Sequence, residues 1–575
     1  MASLRVCLFQ LKESSSATPG EGADLIQYQE KKMDLVRAFL IFTIGAILYY
    51  LLLQWPANNS QSTKEIDTGS FESNIINESK DSLTTFDSAP QEGLSVFKST
   101  ENKTNYSDLV VLENNTLKLT LDGNTGRIIS SVLKGIKVEK NGQEDLKIFG
   151  QLGQSEYFAN SGFFTRSKGY LNPNLSLDRS YDADLNTKVF EFSGDSNGLK
   201  HFKKITLTEG LFSAIIEDVV SGPLGNTPVE VTPYVVIERG NDETGEGGLA
   251  YTYLGPVFST ELERFEKYDF DDIDDEAFKR SSKGGWASLI QHYFLSAWVP
   301  DQEKSYLYQA RKSSSGNRYS IGYTGVSETL DSANTKISQT NTLYVGPKLP
   351  EQLKAIHQDL DLTVDYGFLW WMGKPMYWLL NVGHDLFKNW GLAIIFLTIL
   401  LKVLTWPLSA AAYKSMGKMR VLQPKLAAMQ AQFGDDKQKA AAAMMEFYKK
   451  EGVNPLGGCL PMVIQMPFFL AFYWVLMETV ELRHSPFFFW IDDLSAKDPY
   501  FILPLLNAAG MYFSQKLTPT PANADPMQAQ MMKYFPLVFA LIFAWFPSGL
   551  VLYWLMNMLV TLLQQWWYYR KVLKS

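Results

Sequence analysis

The stretch from Trp390 to Trp406 reads WGLAIIFLTILLKVLTW and contains one charged residue, Lys402. The apolar run predicts a membrane-spanning helix. A lysine at that depth costs about 2.5–3.5 kcal/mol to insert, so it should face protein or water rather than lipid. Thr398 precedes it by one helical turn and falls on the same face. The stretch therefore predicts a membrane protein with a polar internal surface, lined first by Lys402 and Thr398.

Lys402 allows two interpretations. It lies four residues before Trp406, about 6 Å of helix rise, so its ammonium could instead extend to the cytoplasmic interface. Further polar side chains occur within the later apolar stretches. A single amide there serves either as a hydrogen bond between helices or as part of a hydrated groove. These candidate residues are Gln465, Asn507, Asn557 and Gln564.

The chain divides into two parts of different composition. The sequence as a whole is 46% hydrophobic and 20% charged, yet it is polar from Trp55 to about Asp365 and strongly apolar from Phe368 to Tyr569. The net charge of −8 argues against nucleic-acid binding, and no specific nucleic-acid sequence is expected as a partner. The two cysteines lie too far apart in sequence to indicate a disulfide framework or a zinc site.

The N-terminal part contains one apolar run. Residues 1–32 are interpreted as an extension before the true start at Met33, with a disordered cytoplasmic tail as the alternative. Residues 33–56 predict the first transmembrane helix, and the basic residues before it place the N-terminus in the cytoplasm. Its aromatic end favours an uncleaved anchor over a signal peptide. Residues 57–105 are polar and predict a flexible periplasmic linker.

Residues 106–350 carry a β pattern. Leu117, Leu119 and Leu121 alternate with polar residues, and a turn sequence follows at Asp122–Gly126. Later β-prone runs at Val229–Ile237 and Tyr306–Gln309 are separated by glycine- and asparagine-rich segments. Many strands without alternating helices predict a large periplasmic β-sandwich. A structural or partner-docking role is favoured over sugar binding, because no sugar site is apparent.

The remaining residues predict a helical membrane part. Residues 351–389 form a connecting segment with an amphipathic interfacial helix. The predicted spans are at about 390–407, 460–482, 500–516, 534–547 and 550–567. Basic residues place the loop after the second span and the C-terminus in the cytoplasm. The predicted fold class is an α-helical polytopic membrane protein with six transmembrane helices, five of them in a C-terminal core at 390–575, plus the all-β periplasmic sandwich domain.

Residues 408–459 predict a cytoplasmic helical hairpin. Apolar residues recur at intervals of three and four before Gly434, and a second helix is predicted over Lys437–Lys450. The apolar stripe is either the seam of the hairpin or a methionine-rich surface that contacts diverse apolar partners. The hairpin candidates are Met416, Met419, Arg420, Met429, Asp435 and Asp436.

No catalytic constellation is found in the sequence. There is no glycine-rich phosphate loop, and the five histidines lack the spacing of metal ligands. An intramembrane Ser/Lys hydrolase needs a serine opposite Lys402, whereas Ser409 lies beyond Pro407. We therefore expect no enzyme activity, no cofactor and no metal.

Several ordered motifs lie within residues 351–570. They are Asp361–Gly367, Gly434–Gln438, Val453–Cys459, Gln465–Phe468 and Phe546–Tyr553. Together they resemble the YidC-type membrane protein insertases (the YidC/Oxa/Alb family), in the Gram-negative form with a large periplasmic domain. The resemblance implies that the chain inserts nascent inner-membrane proteins into the lipid bilayer and helps them fold, without nucleotide hydrolysis. The implied partners are nascent membrane proteins, the Sec translocon with its accessory subunits, the ribosome and signal-recognition pathway, and lipid.

The resemblance also implies site roles. Lys402 occupies the position of the positive residue in the family's hydrophilic groove, where arginine is usual. Thr398, Tyr553 and Trp554 match groove and client-contact positions, and Trp554 stands where tyrosine is common. Phe469 is a further predicted client contact. A solute transporter or channel that uses Lys402 as its binding charge is the alternative, but it predicts internal repeats that the sequence does not show.

Overall fold

The computed structural model describes residues 108–572, apart from 153–154, 168, 223–227, 241–252, 314–317, 333, 433–436, 453–459 and 518–525. The predicted N-terminal extension, first transmembrane helix and linker lie outside the described residues. So does the predicted hairpin turn with Asp435 and Asp436. The expectations for these segments therefore stay predictions.

The predicted β-sandwich is present. Its described strands are β1 (Leu109–Glu113), β2 (Leu117–Asp122), β3 (Arg127–Lys137), β4 (Asp145–Lys147), β5 (Gly150–Leu152), β6 (Ser155–Thr165), β7 (Gly169–Tyr170), β8 (Ser176–Asp184), β9 (Thr187–Ser196), β10 (Leu199–Thr208), β11 (Ser213–Ser221), β12 (Val229–Gly240), β13 (Gly255–Ser259), β14 (Glu266–Lys267), β15 (Phe278–Lys283), β16 (Trp286–Ile290), β17 (Phe294–Pro300), β18 (Ser305–Lys312), β19 (Arg318–Gly325), β20 (Glu328–Leu330) and β21 (Lys336–Pro347).

The strands form two antiparallel sheets. The first has the order β1-β2-β3-β6-β12-β19-β18-β15, with β4, β5, β7 and β20 attached at its sides. The second has the order β14-β13-β16-β17-β21-β11-β10-β9-β8. Leu117, Leu119 and Leu121 of β2 are fully buried, whereas Lys118 and Thr120 between them are half-buried. The alternation read from the sequence therefore turns one face of β2 to the sandwich core, because side chains alternate along a strand.

The described helices follow the sandwich, except for one short helix within it. They are α1 (Phe270–Asp275), α2 (Pro350–Ile356), α3 (Trp370–Phe387), α4 (Trp390–Leu404), α5 (Trp406–Gln432), α6 (Lys437–Lys450), α7 (Leu460–Glu478), α8 (Ile502–Leu517), α9 (Pro526–Phe543) and α10 (Ser548–Val572). Short 3-10 helices occupy Leu360–Thr363, Gly367–Leu369 and Val480–Leu482.

Helix α3 has one buried face and one exposed face that is also rich in apolar side chains. Gly373, Met376, Leu380 and Gly383 form a buried stripe at helical spacing, whereas the opposite face exposes aromatic and aliphatic side chains. The exposed residues include Trp370, Trp371, Trp378 and Leu386. Trp and Tyr favour the membrane–water boundary, and the interfacial position of this helix stays a prediction.

The helix that contains Lys402 is shorter than predicted. It ends at Leu404, and the backbone N–H of Thr405 donates to the Leu401 carbonyl before α5 begins at Trp406. By length and apolar composition, no single helix in the described part of the chain is sufficient to cross a membrane. One bent pair qualifies, Trp390–Leu404 with Trp406–Leu426, at an angle of 65°. The count of six membrane-spanning helices therefore stays a prediction.

The last two helices begin and end at positions that differ from those predicted. Helix α9 begins at Pro526 rather than 534 and ends at Phe543. The chain reverses over residues 544–547, and Ser548 is already the first residue of α10, although the last span was predicted to begin at about 550. The N–H of Ser548 donates to the Ala496 carbonyl at 2.7 Å, and that of Gly549 donates to Leu494 at 2.8 Å. These bonds satisfy first-turn N–H groups that have no partner within the helix.

The hairpin helices α5 and α6 pack through a small apolar cluster. Leu422, Leu426, Met444 and Tyr448 are buried in it, with Met419, Met429 and Phe447 packed against them. This arrangement agrees with the seam interpretation of the stripe. The side chain of Arg420 lies outside the described residues.

Candidate functional site

Lys402 is held inside the helical part of the molecule. Its side chain, in the last turn of α4, is 5% exposed. The ammonium donates one hydrogen bond to Gln465 Oε1 on α7 at 3.1 Å and a second to Thr561 Oγ1 on α10 at 2.9 Å. The sequence allowed the ammonium either to face the protein interior or to extend past Trp406. In the structure it points toward α7 and α10.

The acceptors of Lys402 are themselves connected. The Gln465 amide donates to Asn557 Oδ1, and the Thr561 hydroxyl donates to the Asn557 carbonyl at 2.7 Å. Asn557 in turn donates to the Tyr553 carbonyl at 3.1 Å. We call Lys402, Gln465, Asn557 and Thr561 the polar cluster. It joins α4, α7 and α10 through side-chain hydrogen bonds.

The polar cluster carries one positive charge and no described counter-charge. Both acceptors of the ammonium are neutral oxygen atoms, and within the described ranges no carboxylate pairs with it. A buried charge is costly unless hydrogen bonds or an opposite charge compensate it. The amide and hydroxyl therefore solvate the ammonium.

Gln564 joins the surroundings of Lys402 through the backbone of α4. Its amide nitrogen lies 3.5 Å from the Lys402 carbonyl oxygen, and its Oε1 accepts from the Tyr413 hydroxyl at 3.3 Å. Gln564 thus connects α4, α5 and α10 near the bend between Leu404 and Trp406. Its contacts are those of an interhelical hydrogen-bonding residue.

Thr398 and Asn507 are buried but lie outside the hydrogen-bonded cluster. Thr398 is 0% exposed, and its hydroxyl donates to the Ile394 carbonyl of its own helix at 2.7 Å. Asn507 on α8 is 0% exposed and donates to the Val551 carbonyl of α10 at 3.1 Å. Thr398 therefore shares only the helix face of Lys402, and Asn507 connects two helices elsewhere.

The predicted aromatic contacts form a group between α7, α9 and α10. Phe469 stacks on Tyr553 with ring centroids 6.1 Å apart and meets Trp554 edge-on at 4.9 Å. Trp554 also lies 5.4 Å from both Phe539 and Phe543 of α9. Tyr553 is 1% exposed, so its ring is packed among helices. Edge-to-face and offset stacking of this kind adds to the packing of the core.

Sequence reasoning missed Thr561, although it accepts the shorter of the two Lys402 hydrogen bonds. The available signal was spacing: Thr561 lies four residues after Asn557, so both fall on one face of a helix. Of the hairpin candidates, Met416 is 4% exposed and Met419 and Met429 pack at the seam. Within the described residues, no group of three His, Cys, Asp or Glu side chains is placed to hold a metal ion.

A β-sandwich followed by helices that enclose a buried, hydrogen-bonded cation defines a two-part protein, and comparisons assign both parts. Residues 109–379 match the family described as YidC periplasmic domain, and residues 382–575 match the family described as 60Kd inner membrane protein.

Relatives match nearly the whole chain. The membrane protein insertase YidC of Pseudomonas fluorescens (strain Pf0-1) is 38% identical over 558 residues, covering 94% of this chain and 98% of that protein. The protein of the same name in Haemophilus influenzae is 36% identical, covering 94% and 99%. A crystal structure of an active YidC insertase covers 79% of this chain and 91% of its own, at 17% identity and a TM-score of 0.37. The chain belongs to the YidC membrane protein insertase family.

Proposed function

We propose that this chain inserts nascent inner-membrane proteins into the lipid bilayer through a hydrophilic groove lined by the polar cluster. Family membership supports the insertase activity. The observation that carries the groove is the Lys402 ammonium, which is buried among neutral acceptors on neighbouring helices. A passive anchor has no need of such a charge, because its burial is costly.

Lys402 attracts the polar outer segment of a client. Acidic residues in that segment are drawn to a positive charge that no described carboxylate neutralises, in a medium of low dielectric constant where charge interactions are strong. Lysine is a point charge without the planar fork of arginine. The proposed attraction is therefore general for anionic groups and does not require a bidentate contact with one carboxylate.

The apolar part of the client then moves into lipid beside the aromatic group of α7 and α10. Phe469, Tyr553 and Trp554 provide its apolar contacts. Burial of apolar surface supplies about 25 cal/mol per Å², so the process as proposed needs neither nucleotide hydrolysis nor a cofactor. The hairpin of α5 and α6 is the first cytoplasmic contact of the client.

The cellular arrangement follows from this route. The chain is an inner-membrane protein with a periplasmic β domain, in keeping with its two family matches. We infer six transmembrane helices, cytoplasmic termini, and clients delivered from the ribosome and signal-recognition pathway either directly or with the Sec translocon. In this arrangement the hairpin of α5 and α6 lies on the cytoplasmic side, where it contacts these partners reversibly.

Substitution of Lys402 tests the groove. Purified full-length protein in liposomes is given a client with an acidic outer segment and, in parallel, the same client with that segment neutralised. Lys402→Ala should slow insertion of the acidic client several-fold, whereas Lys402→Arg keeps the charge and should retain the unmodified rate. Equal insertion of the acidic client by all three proteins would reject the charge role of Lys402, and absence of insertion by the unmodified chain would reject the insertase itself.

A further inference from the structure

A buried ion pair joins the β domain to the end of α7. Lys348 Nζ lies 2.8 Å from Glu478 Oε2, and the two side chains are 2% and 4% exposed. Lys348 directly follows β21, and Glu478 is the last residue of α7. The final strand of the sandwich is thus connected to the helix that supplies Gln465 and Phe469 to the candidate site.

Burial distinguishes this pair from the surface pairs of the β domain. For example, Lys283 Nζ lies 2.9 Å from Glu303 Oε2, but the two side chains are 48% and 84% exposed. Exposed ion pairs of this kind contribute little to the stability of the fold. Removing one partner of a buried pair leaves an uncompensated charge in the interior, whereas removing both is often tolerated. Lys348 and Glu478 therefore require each other, and each constrains the other's position.

Two further contacts surround the same helix end. The His292 ring donates from Nε2 to the Met477 carbonyl at 2.9 Å, which satisfies a carbonyl in the last turn of α7. Burial lowers the pKa of His292 to about 4, so the ring is neutral and can donate at neutral pH. Arg483 Nη1 donates to the Lys137 carbonyl at 2.7 Å, and its Nη2 donates to the Val138 carbonyl at 2.8 Å. The end of α7 and the segment after it are thus held at three places by the β domain.

A displacement at the end of α7 would be transmitted through the helix to the candidate site. Phe469 lies nine residues before Glu478, about 14 Å of helix rise, and no proline interrupts α7 between them. A shift or rotation at Glu478 is therefore carried to Phe469 and to its stacking with Tyr553. Gln465 lies one turn further, on the other side of Pro467, and accepts from Lys402.

We propose that Lys348 and Glu478 are positioning residues for insertion, through which the β domain sets the register of α7 against α10. This proposal rests on the proposed function of the chain. In this proposal the end of the β domain holds α7 in position. The ion pair thereby keeps Phe469 and Gln465, the acceptor of Lys402, in place while a client passes.

Four full-length proteins test the pair in liposomes. They are Lys348→Met, Glu478→Gln, the double variant, and Lys283→Met as the control for loss of an exposed β-domain lysine. Each is first checked for monodispersity and thermal unfolding. Each single substitution should lower insertion at least about fivefold, the lower end of typical site coupling. The double variant leaves no buried charge unpaired but also lacks the ion pair, so its insertion should stay below the unmodified rate. The control should insert at the unmodified rate.

A second readout separates positioning from simple stability. Photo-crosslinking to a stalled client is measured from Gln465, Phe469, Phe472 and Leu476 of α7. Misplaced α7 should change which of these positions crosslinks most, whereas general destabilisation lowers all four together. Arg483→Gln removes a neighbouring contact without leaving a buried charge, so it should give the same change in pattern even if a single variant of the pair does not fold.

The outcomes are distinguishable from failure of the insertase proposal. If the unmodified chain inserts the client and both folded single variants insert it equally well, Lys348 and Glu478 have no positioning role. A double variant that inserts at the unmodified rate would also overturn the proposal, because the loss in the single variants would then come from an unpaired buried charge. An unchanged crosslinking pattern in Arg483→Gln would overturn it as well. Loss of insertion by the unmodified chain would instead reject the function on which it rests.

Discussion

The Thr561 hydroxyl accepts a hydrogen bond from the Lys402 ammonium at 2.9 Å and thereby joins α10 to α4. The same hydroxyl donates to the Asn557 carbonyl. One threonine thus solvates the buried cation while its own proton is satisfied within α10. Thr561 therefore stabilises the buried charge of Lys402 as directly as Gln465 does.

Thr561→Val should destabilise the protein although it is nearly isosteric. Loss of one of the two acceptors leaves a donor of the buried ammonium unsatisfied, which costs about 1–3 kcal/mol. Thr398→Val is the matched control, since the Thr398 hydroxyl bonds only to the carbonyl of Ile394 in its own helix. Thermal unfolding in detergent should show the larger loss for Thr561→Val. A larger loss for Thr398→Val would contradict the described cluster.

Gln465→Glu should weaken insertion of acidic clients. The new carboxylate stands where Gln465 Oε1 accepts from Lys402 at 3.1 Å, so it forms an ion pair that cancels the attracting charge. The rate of liposome insertion should fall for a client with an acidic outer segment and change less for a neutral one. Gln465→Met serves as the control that removes the acceptor without adding a charge. An equal effect on both clients would argue against electrostatic attraction.

Leu426→Ala should open the hairpin locally. Leu426 is 2% exposed in the seam between α5 and α6, and such truncations cost about 2–5 kcal/mol. Val421 is 61% exposed, so Val421→Ala is the control on the same helix. Hydrogen exchange of residues 437–450 should accelerate in Leu426→Ala alone. Identical exchange in the two variants would mean that the seam does not hold the helices together.

The β domain should lose stability as the pH rises through the titration of Glu238. This side chain on β12 is 2% exposed, and burial raises the pKa of its carboxyl from 4.5 to about 7, despite the opposing charge of Arg127. The unfolded carboxyl loses its proton near pH 4.5, whereas the folded one keeps it until about pH 7. Folding is therefore favoured by proton binding below this window, and that contribution declines across it.

Glu238→Gln should remove this dependence, because an amide keeps the neutral form at every pH. The total contribution is about 3 kcal/mol, from 1.36 kcal/mol per pKa unit. Unfolding midpoints of the full-length protein at about pH 4.5, 6 and 8 should decline less in Glu238→Gln than in the unmodified chain. Glu261→Gln changes an exposed carboxylate and should leave the decline as it is. A decline of equal size in all three proteins would assign it to other groups.

Local patterns predicted the secondary structure well where one periodicity dominated. The Leu117–Leu121 alternation became a strand with one buried face, and the second hairpin helix has the predicted bounds Lys437–Lys450. Helix ends were predicted less well. Ser548 begins α10 because the carbonyls of Ala496 and Leu494 receive its first N–H groups, and these partners lie far away in sequence.

From the sequence alone we could predict that a lysine occurs in an apolar helix, that polar residues recur on other helices, and that a β domain precedes them. Those properties depend on residue type and spacing along one segment. The packing of the folded chain was needed to show that Lys402 turns inward, that Thr561 completes its solvation, and that Lys348 contacts Glu478. Each of these contacts joins segments distant in the chain. Their partners are selected by how whole helices and sheets pack, because a buried charge must find its acceptors wherever packing brings them.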